Sequence, residues 1–165
     1  MKMMTLRHLL SVLILPFMVV VALPAWLLSS AADTRWSPDL TLRWLPQLAG
    51  LLVAAAGLAL FIWCVSLFAS VGRGTLAPWD PTQNLVAAGP YRFVRNPMIS
   101  AVALLLIGQA LFFGSRFVGI WAGLVLLINH IYFIVSEEPG LEQRFGENYR
   151  RYKASVPRWF PRLRP

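Results

Sequence analysis

Two apolar runs, Met98–Gly114 and Phe117–Val135, are separated only by Ser115 and Arg116. Each approaches the ~20 helical residues that cross a bilayer core at ~1.5 Å rise per residue. So short a connection forces the second run to return antiparallel to the first. The residues just before the first run and just after the second must therefore meet at one membrane surface. They are Arg95-Asn96-Pro97 on one side and Glu137-Glu138 on the other. Charged groups gathered beside lipid carry a desolvation cost, so their convergence marks a candidate functional site.

The rest of the chain fits the same solvent. Of its 165 residues 58% are hydrophobic and 13% charged, against about 45–50% apolar in soluble domains. Four stretches lack charge over membrane-spanning length, roughly Leu9–Ser29 (9–29), Leu48–Ser70 (48–70), Met98–Gly114 (98–114) and Phe117–Val135 (117–135). In lipid these must be helices, because only a helix satisfies their backbone groups internally. The expected fold class is all-α. A single polytopic integral membrane domain of about four transmembrane helices is followed by a C-terminal interfacial amphipathic helix.

The net charge of +8 is unevenly placed. In a four-span arrangement Lys2, Arg7, Arg73, Arg92, Arg95 and the seven basic residues from Arg144 to Arg164 share one side, and only Arg35, Arg43 and Arg116 fall on the other. The positive-inside rule then puts both termini in the cytoplasm, with the cell inner membrane as the expected location. Attraction to anionic headgroups accounts for the basic charge, and no nucleic-acid motif accompanies it. Lys2 and Arg7 before an apolar run also match the start of a signal peptide, but the run exceeds the ~7–15 residues of such a core. An uncleaved first helix is the expectation. The lone Cys64 excludes an intrachain disulfide and reads as a packing residue.

Pro16 and Pro24 should kink the first span. Asp33–Pro46 reads as an external loop with Trp36 and Trp44 as interfacial anchors. Ala54-Ala55-Ala56-Gly57 suits close helix contact in the second span. Residues 72–97 are too polar to cross, rich in Gly and Pro, and long enough to be functional. From Glu137 the chain becomes a charged tail, 137–165, in which Leu141, Phe145, Tyr149 and Tyr152 recur at helical spacing. The expected helix lies on the membrane with those residues down, and Pro157, Pro161 and Pro165 end it.

Pro97 suits the first turn of the third span, with Asn96 as N-cap and Arg95 as a headgroup contact. That reading leaves the ordered run Gln83-Asn84-Leu85-Val86-Ala87-Ala88-Gly89-Pro90-Tyr91 unexplained. Free N–H groups at a helix start receive anions, whereas carboxylates at a helix end oppose the helix dipole and call for a cationic or hydroxyl-bearing partner. Together they suit a zwitterionic, hydroxyl-bearing ligand. His130 and Glu137, seven apart, share a helix face. Asn129 and His130 serve equally well for an interhelical hydrogen bond or a substrate contact, and Gln109 reads as packing glue. His8 and His130 form no ligand cluster with cysteine, so no metal is expected.

The run Leu85-Val-Ala-Ala-Gly-Pro-Tyr91, then Arg95-Asn-Pro97, Glu137-Glu138, Phe145-Gly-x-x-Tyr149-x-x-Tyr152 and Val156-Pro-Arg158 resembles the isoprenylcysteine carboxyl methyltransferase family and the related phospholipid N-methyltransferases. The resemblance covers roughly Thr82–Pro161 and is that of a small, bacterial-type member. It implies a membrane enzyme that uses S-adenosyl-L-methionine to methylate a lipophilic acceptor. Implied cofactor contacts are Gln83, Asn84, Leu85, Val86, Tyr91, Asn96, Pro97, Met98, Ile99 and Glu137. Arg95 and Arg158 would position phosphate or carboxylate groups, with His130 and Glu138 as the candidates for catalysis or substrate contact. The chain reads Arg95-Asn96-Pro97-Met98-Ile99 where the family commonly has Arg-His-Pro-x-Tyr. It reads His130-Ile-Tyr-Phe-Ile134 where enzymes acting on isoprenylcysteine carry an Arg. The implied acceptor is thus a lipid or lipid-linked carboxylate, amine or hydroxyl. Two other readings remain open, an NADPH-binding membrane reductase of sterol-reductase type and a non-enzymatic membrane subunit.

Overall fold

A computed structural model describes residues 16–30, 42–72 and 82–162, and the described residues form helices and loops with no strand. Helix α1, Met18–Ser29, opens with a π-helical turn, Met18–Ala22, and continues as Leu23–Ser29. Helix α2 runs Trp44–Leu67 and ends in a second π-helical turn, Phe68–Gly72. A 3-10 turn, Gly89–Arg92, precedes α3, Pro97–Phe113. Helix α4, Arg116–Tyr132, passes through a third π-helical turn, Phe133–Glu137, into α5, Glu138–Phe145. Helix α6 is Glu147–Ser155.

Among the described residues, two continuous helical stretches are long and apolar enough to cross a membrane, Trp44–Gly72 with 29 residues and Arg116–Phe145 with 30. Only 11% and 17% of their most apolar windows are buried within the protein. Leu51, Leu52, Ile62 and Trp63 of α2 and Ile120, Leu127, Ile128 and Val135 of α4 all face outward. The core helix of a soluble protein would bury such residues, so this exterior requires lipid as its solvent. The protein is an integral membrane protein. Helices Met18–Ser29 and Pro97–Phe113 are shorter, and the start of the expected first span, 9–15, lies outside the described residues, as does Trp36.

Three expected boundaries shift. The second helix begins at Trp44 rather than Leu48, because Pro46 is tolerated in a first turn where its missing N–H has no partner to lose. The third spans Pro97–Phe113, since Gly114 adopts the left-handed conformation (φ 66°) that closes a helix. The fourth begins at Arg116, one residue early, because Ser115 caps it by accepting a hydrogen bond from the Val118 N–H at 3.1 Å. Both Pro24 and Pro139 follow π-helical turns. The wider turn accommodates the hydrogen bond that each proline cannot donate.

The closest helix pair is α2 with α3, and small residues make it possible. Gly50, Gly57 and Cys64 of α2 are buried at seven-residue intervals. A Cβ on Gly57 would lie 2.9 Å from the Ala101 carbonyl oxygen, and one on Gly50 would lie 2.6 Å from that of Gly108. The two backbones touch. Helix α1 is anchored by the expected glue residue, as Gln109 Nε2 donates to the Val20 carbonyl at 2.9 Å. Trp121 Nε1 donates to the Val19 carbonyl, also at 2.9 Å. Both acceptors lie in the π-helical turn, where backbone carbonyls are displaced from regular pairing.

The tail departs most from expectation. Gly146, at φ 54° and ψ −129°, breaks the predicted single amphipathic helix into α5 and α6. Only glycine enters that backbone region without strain. Tyr149 is 1% exposed, and the Tyr152 hydroxyl donates to the Tyr91 carbonyl at 2.7 Å. These aromatics face the 82–97 segment rather than the bilayer surface.

Candidate functional site

The α3–α4 hairpin brings its two polar ends together. Arg95 Nη1 lies 2.9 Å from Glu138 Oε1, across 43 residues of sequence. The Glu138 carboxylate, 4% exposed, also receives Arg158 through Nε and Nη2, both at 2.8 Å. Lys153 Nζ reaches its other oxygen at 3.1 Å. A carboxylate offers about four lone-pair sites; three of these donors converge on Oε1, and Lys153 takes one site on Oε2. Removing one partner from a pair this buried costs on the order of 3 kcal/mol.

Glu137 is different. It is half-buried, and among the described residues its carboxylate makes no hydrogen bond or ion pair. Its electrostatic neighbours are Arg144, Tyr91 and Tyr149. Arg144 in turn donates through Nη2 to the Thr82 carbonyl. The start of the 82–97 segment is thereby tied to the helix that carries Glu137.

That segment is built from both ends. Gln83 N–H and Asn84 N–H donate to the Gly72 carbonyl at 2.8 and 3.2 Å, and Asn84 Nδ2 donates to the Val71 carbonyl at 3.1 Å. These bonds satisfy carbonyls that the end of α2 leaves without helical partners. Val86 and Tyr91 are buried with Cys64 in one apolar cluster, with Leu60, Leu67, Phe68 and Met98 packed against it. The Tyr91 ring lies 5.8 Å from that of Phe68. Leu85 and Ile99 are half-buried, while Gln83 and Asn84 are exposed.

Asn96 takes the expected position before Pro97, but its side chain makes no capping bond. Its carbonyl accepts from the N–H and Oγ of Ser100, at 3.1 and 3.0 Å. Among the described residues its Oδ1 and Nδ2 are buried without a hydrogen-bond partner, as is Arg95 Nε, and Asn96 is only 2% exposed. Buried amides are satisfied in the great majority of proteins. Asn96 follows Arg95 and Glu137 precedes Glu138, so the Arg95–Glu138 contact carries both residues to the same end of the hairpin.

His130 Nδ1 accepts a hydrogen bond from Trp159 Nε1 at 2.9 Å, so the histidine joins α4 to the tail. Asn129 satisfies itself within α4 through the Val125 carbonyl. Arg95 and Arg158, expected at phosphate or carboxylate groups, both point at Glu138. Burial pushes the Tyr91, Tyr149 and Tyr152 hydroxyls upward, so all three stay protonated at neutral pH. An open groove of about 360 Å³ lined by Ile134, Glu138, Pro139, Glu142, Gln143, Arg150 and Lys153 includes neither Asn96 nor Glu137.

The sequence reading missed Arg144 and Lys153, which join Thr82 and Glu138 to the tail. Their partners lie 62 and 15 positions away, and no local spacing announces either pairing.

A sequence profile of phospholipid methyltransferases matches residues 45–148. The match runs from the start of α2 into α6, and takes in both the 82–97 segment and the two glutamates. An uncharacterized protein of Haemophilus influenzae is 38% identical over 64 residues, which is 38% of this chain and 98% of that protein. No solved structure matches. With well over half of its length inside the profile, the chain belongs to the phospholipid methyltransferase family, whose members are methyltransferases.

Proposed function

We propose that this protein transfers a methyl group from S-adenosyl-L-methionine to a lipid or lipid-linked carboxylate, amine or hydroxyl at the cytoplasmic face of the cell inner membrane. The carrying observation is the pair of unsatisfied polar groups at the hairpin's polar end. Among the described residues the buried Asn96 amide has no hydrogen-bond partner, and the Glu137 carboxylate, carried to the same end of the hairpin, is unpaired. A ligand that bears hydroxyl and ammonium donors together with a carboxylate suits both.

The residues present fit that cofactor, which when bound supplies a methyl group activated by its positive sulfur. Glu137 would accept from hydroxyl or ammonium groups. The Asn96 amide, with a donor and an acceptor, would fix orientation from the opposite side. The N–H groups of Met98 and Ile99, in the first turn of α3 after Pro97, would receive a carboxylate. Val86 and Tyr91 are core residues, so their contribution is to hold the backbone of the segment around Gln83, Asn84 and Leu85.

In-line transfer needs no covalent protein intermediate, so the protein contributes proximity, alignment and exclusion of water. The apolar exterior of α2 and α4 suits an acceptor that arrives sideways from the bilayer. Both termini lie in the cytoplasm in this reading, with four spans and membrane lipids as the surrounding partners. Arg95, Lys153 and Arg158 are engaged by Glu138, so these three are not free for the extra phosphate that an NADPH-dependent reductase would bind.

The test is incubation of the purified full chain with total lipid extract and methyl-labelled S-adenosyl-L-methionine. Label recovered in a lipid product, and absent with Glu137→Gln, supports the reading. Label confined to unreacted cofactor across carboxylate, amine and hydroxyl lipids contradicts it.

A further inference from the structure

The two adjacent glutamates stand in opposite conditions. Glu137 lacks a partner among the described residues, whereas Glu138 is held by three cations. The cations around Glu138 come from three segments: Arg95 from before α3, Lys153 from α6, and Arg158 from beyond α6. At this joint the tail is bound to the 91–97 backbone at several other points. The Arg95 N–H donates to the Pro157 carbonyl at 2.9 Å, and the Arg162 N–H to the Phe93 carbonyl at 3.1 Å. Arg162 Nε also reaches the Arg92 carbonyl at 2.8 Å. The tail strand thus lies along the backbone that leads directly into Asn96.

We infer that Glu138 is a positioning residue that holds the C-terminal tail closed against residues 91–97, and that it touches neither cofactor nor acceptor. Without its charge, Arg95 and Arg158 would face each other unneutralised in a largely buried space, while Lys153 would keep only Glu142, at 4.0 Å. They would separate, and the tail would leave the segment that holds Asn96. The residues from 149 onward, Lys153 and Arg158 among them, lie outside the stretch matched by the family profile. The closure is therefore assigned from this chain's own contacts.

The binding half of the test rests on the cofactor reading above, and the exchange half does not. Wild type, Glu138→Gln, Arg158→Gln and the double variant are prepared as full chains in lipid nanodiscs. Each is titrated with S-adenosyl-L-methionine, and amide hydrogen exchange is followed in peptides covering 91–97 and 156–162. The expected result is faster exchange in both peptides for either single variant. Affinity should weaken roughly tenfold, with the double variant no worse than the weaker single one, because both act through one joint.

Unchanged exchange in Glu138→Gln overturns the inference. So do losses of affinity that add in the double variant, since additive losses identify Glu138 as a direct contact. If wild type fails to bind the cofactor, the functional reading fails and exchange alone decides the closure. If Glu138→Gln does not fold, Lys153→Gln removes only the outermost arm. A smaller rise in exchange in that variant supports the inference, and no rise overturns it.

Discussion

Arg95 and Glu138, joined at 2.9 Å across 43 residues, put both polar ends of the α3–α4 hairpin at one end of the helix bundle. This single contact makes a site from segments that are otherwise separated by a full pass through α3 and back along α4. Asn96 and Glu137 are the immediate chain neighbours of that pair. Both are brought to the junction without being satisfied by it.

Glu137→Gln and Asn96→Ala should each abolish or strongly weaken S-adenosyl-L-methionine binding while leaving the unfolding temperature close to that of wild type. Among the described residues neither side chain makes a hydrogen bond. Calorimetric titration beside a thermal scan in detergent checks both halves. A large fall in unfolding temperature would instead identify these groups as structural.

Gly57→Ala should destabilise the α2–α3 pair. The new Cβ would meet the Ala101 carbonyl at 2.9 Å, and backbone cannot move aside as a flexible side chain does. Overpacking of this kind costs about 1–3 kcal/mol. The drop is read by thermal unfolding, with Gly123→Ala as a control, because a Cβ there meets nothing within 4 Å.

Gly146→Ala should strain the junction between α5 and α6. No atom lies near the added methyl, so the cost comes from φ 54° alone. A residue forced into such a region pays about 1–3 kcal/mol. Its expected signature is faster hydrogen exchange in α6, with α2 and α3 unaffected.

Tyr152→Phe keeps the ring and deletes the bond to the Tyr91 carbonyl. About 1 kcal/mol should be lost, and residues 89–92 should exchange faster. Ser115→Ala, which removes the cap of α4, should cost a similar amount and act only at the opposite end of the bundle. Comparing the two variants separates damage to the site from damage to the hairpin.

The hairpin and its polar end were legible in the sequence because local chemistry decides them. Pro97 opens a helix, Gly114 closes it, Ser115 caps the next, and the apolar runs leave one return path. The tail was not legible. Leu141, Phe145, Tyr149 and Tyr152 follow helical spacing through Gly146, and periodicity does not register a single backbone torsion that breaks the pattern. The distribution of charge was equally hidden. Arg95, Lys153 and Arg158 are ordinary basic residues near a membrane until long-range folding places all three on one carboxylate. Asn96 shows the limit from the other side, since its position was predicted and its unsatisfied amide was not.

The pocket is tested most directly by photolabelling of the full chain with radioactive S-adenosyl-L-methionine, followed by peptide mapping. Label is expected in two separate peptides, one within residues 83–99 and one containing Glu137, both suppressed by excess unlabelled cofactor. Label confined to α1 or to residues beyond Gly146, or no specific label in either peptide, would contradict it.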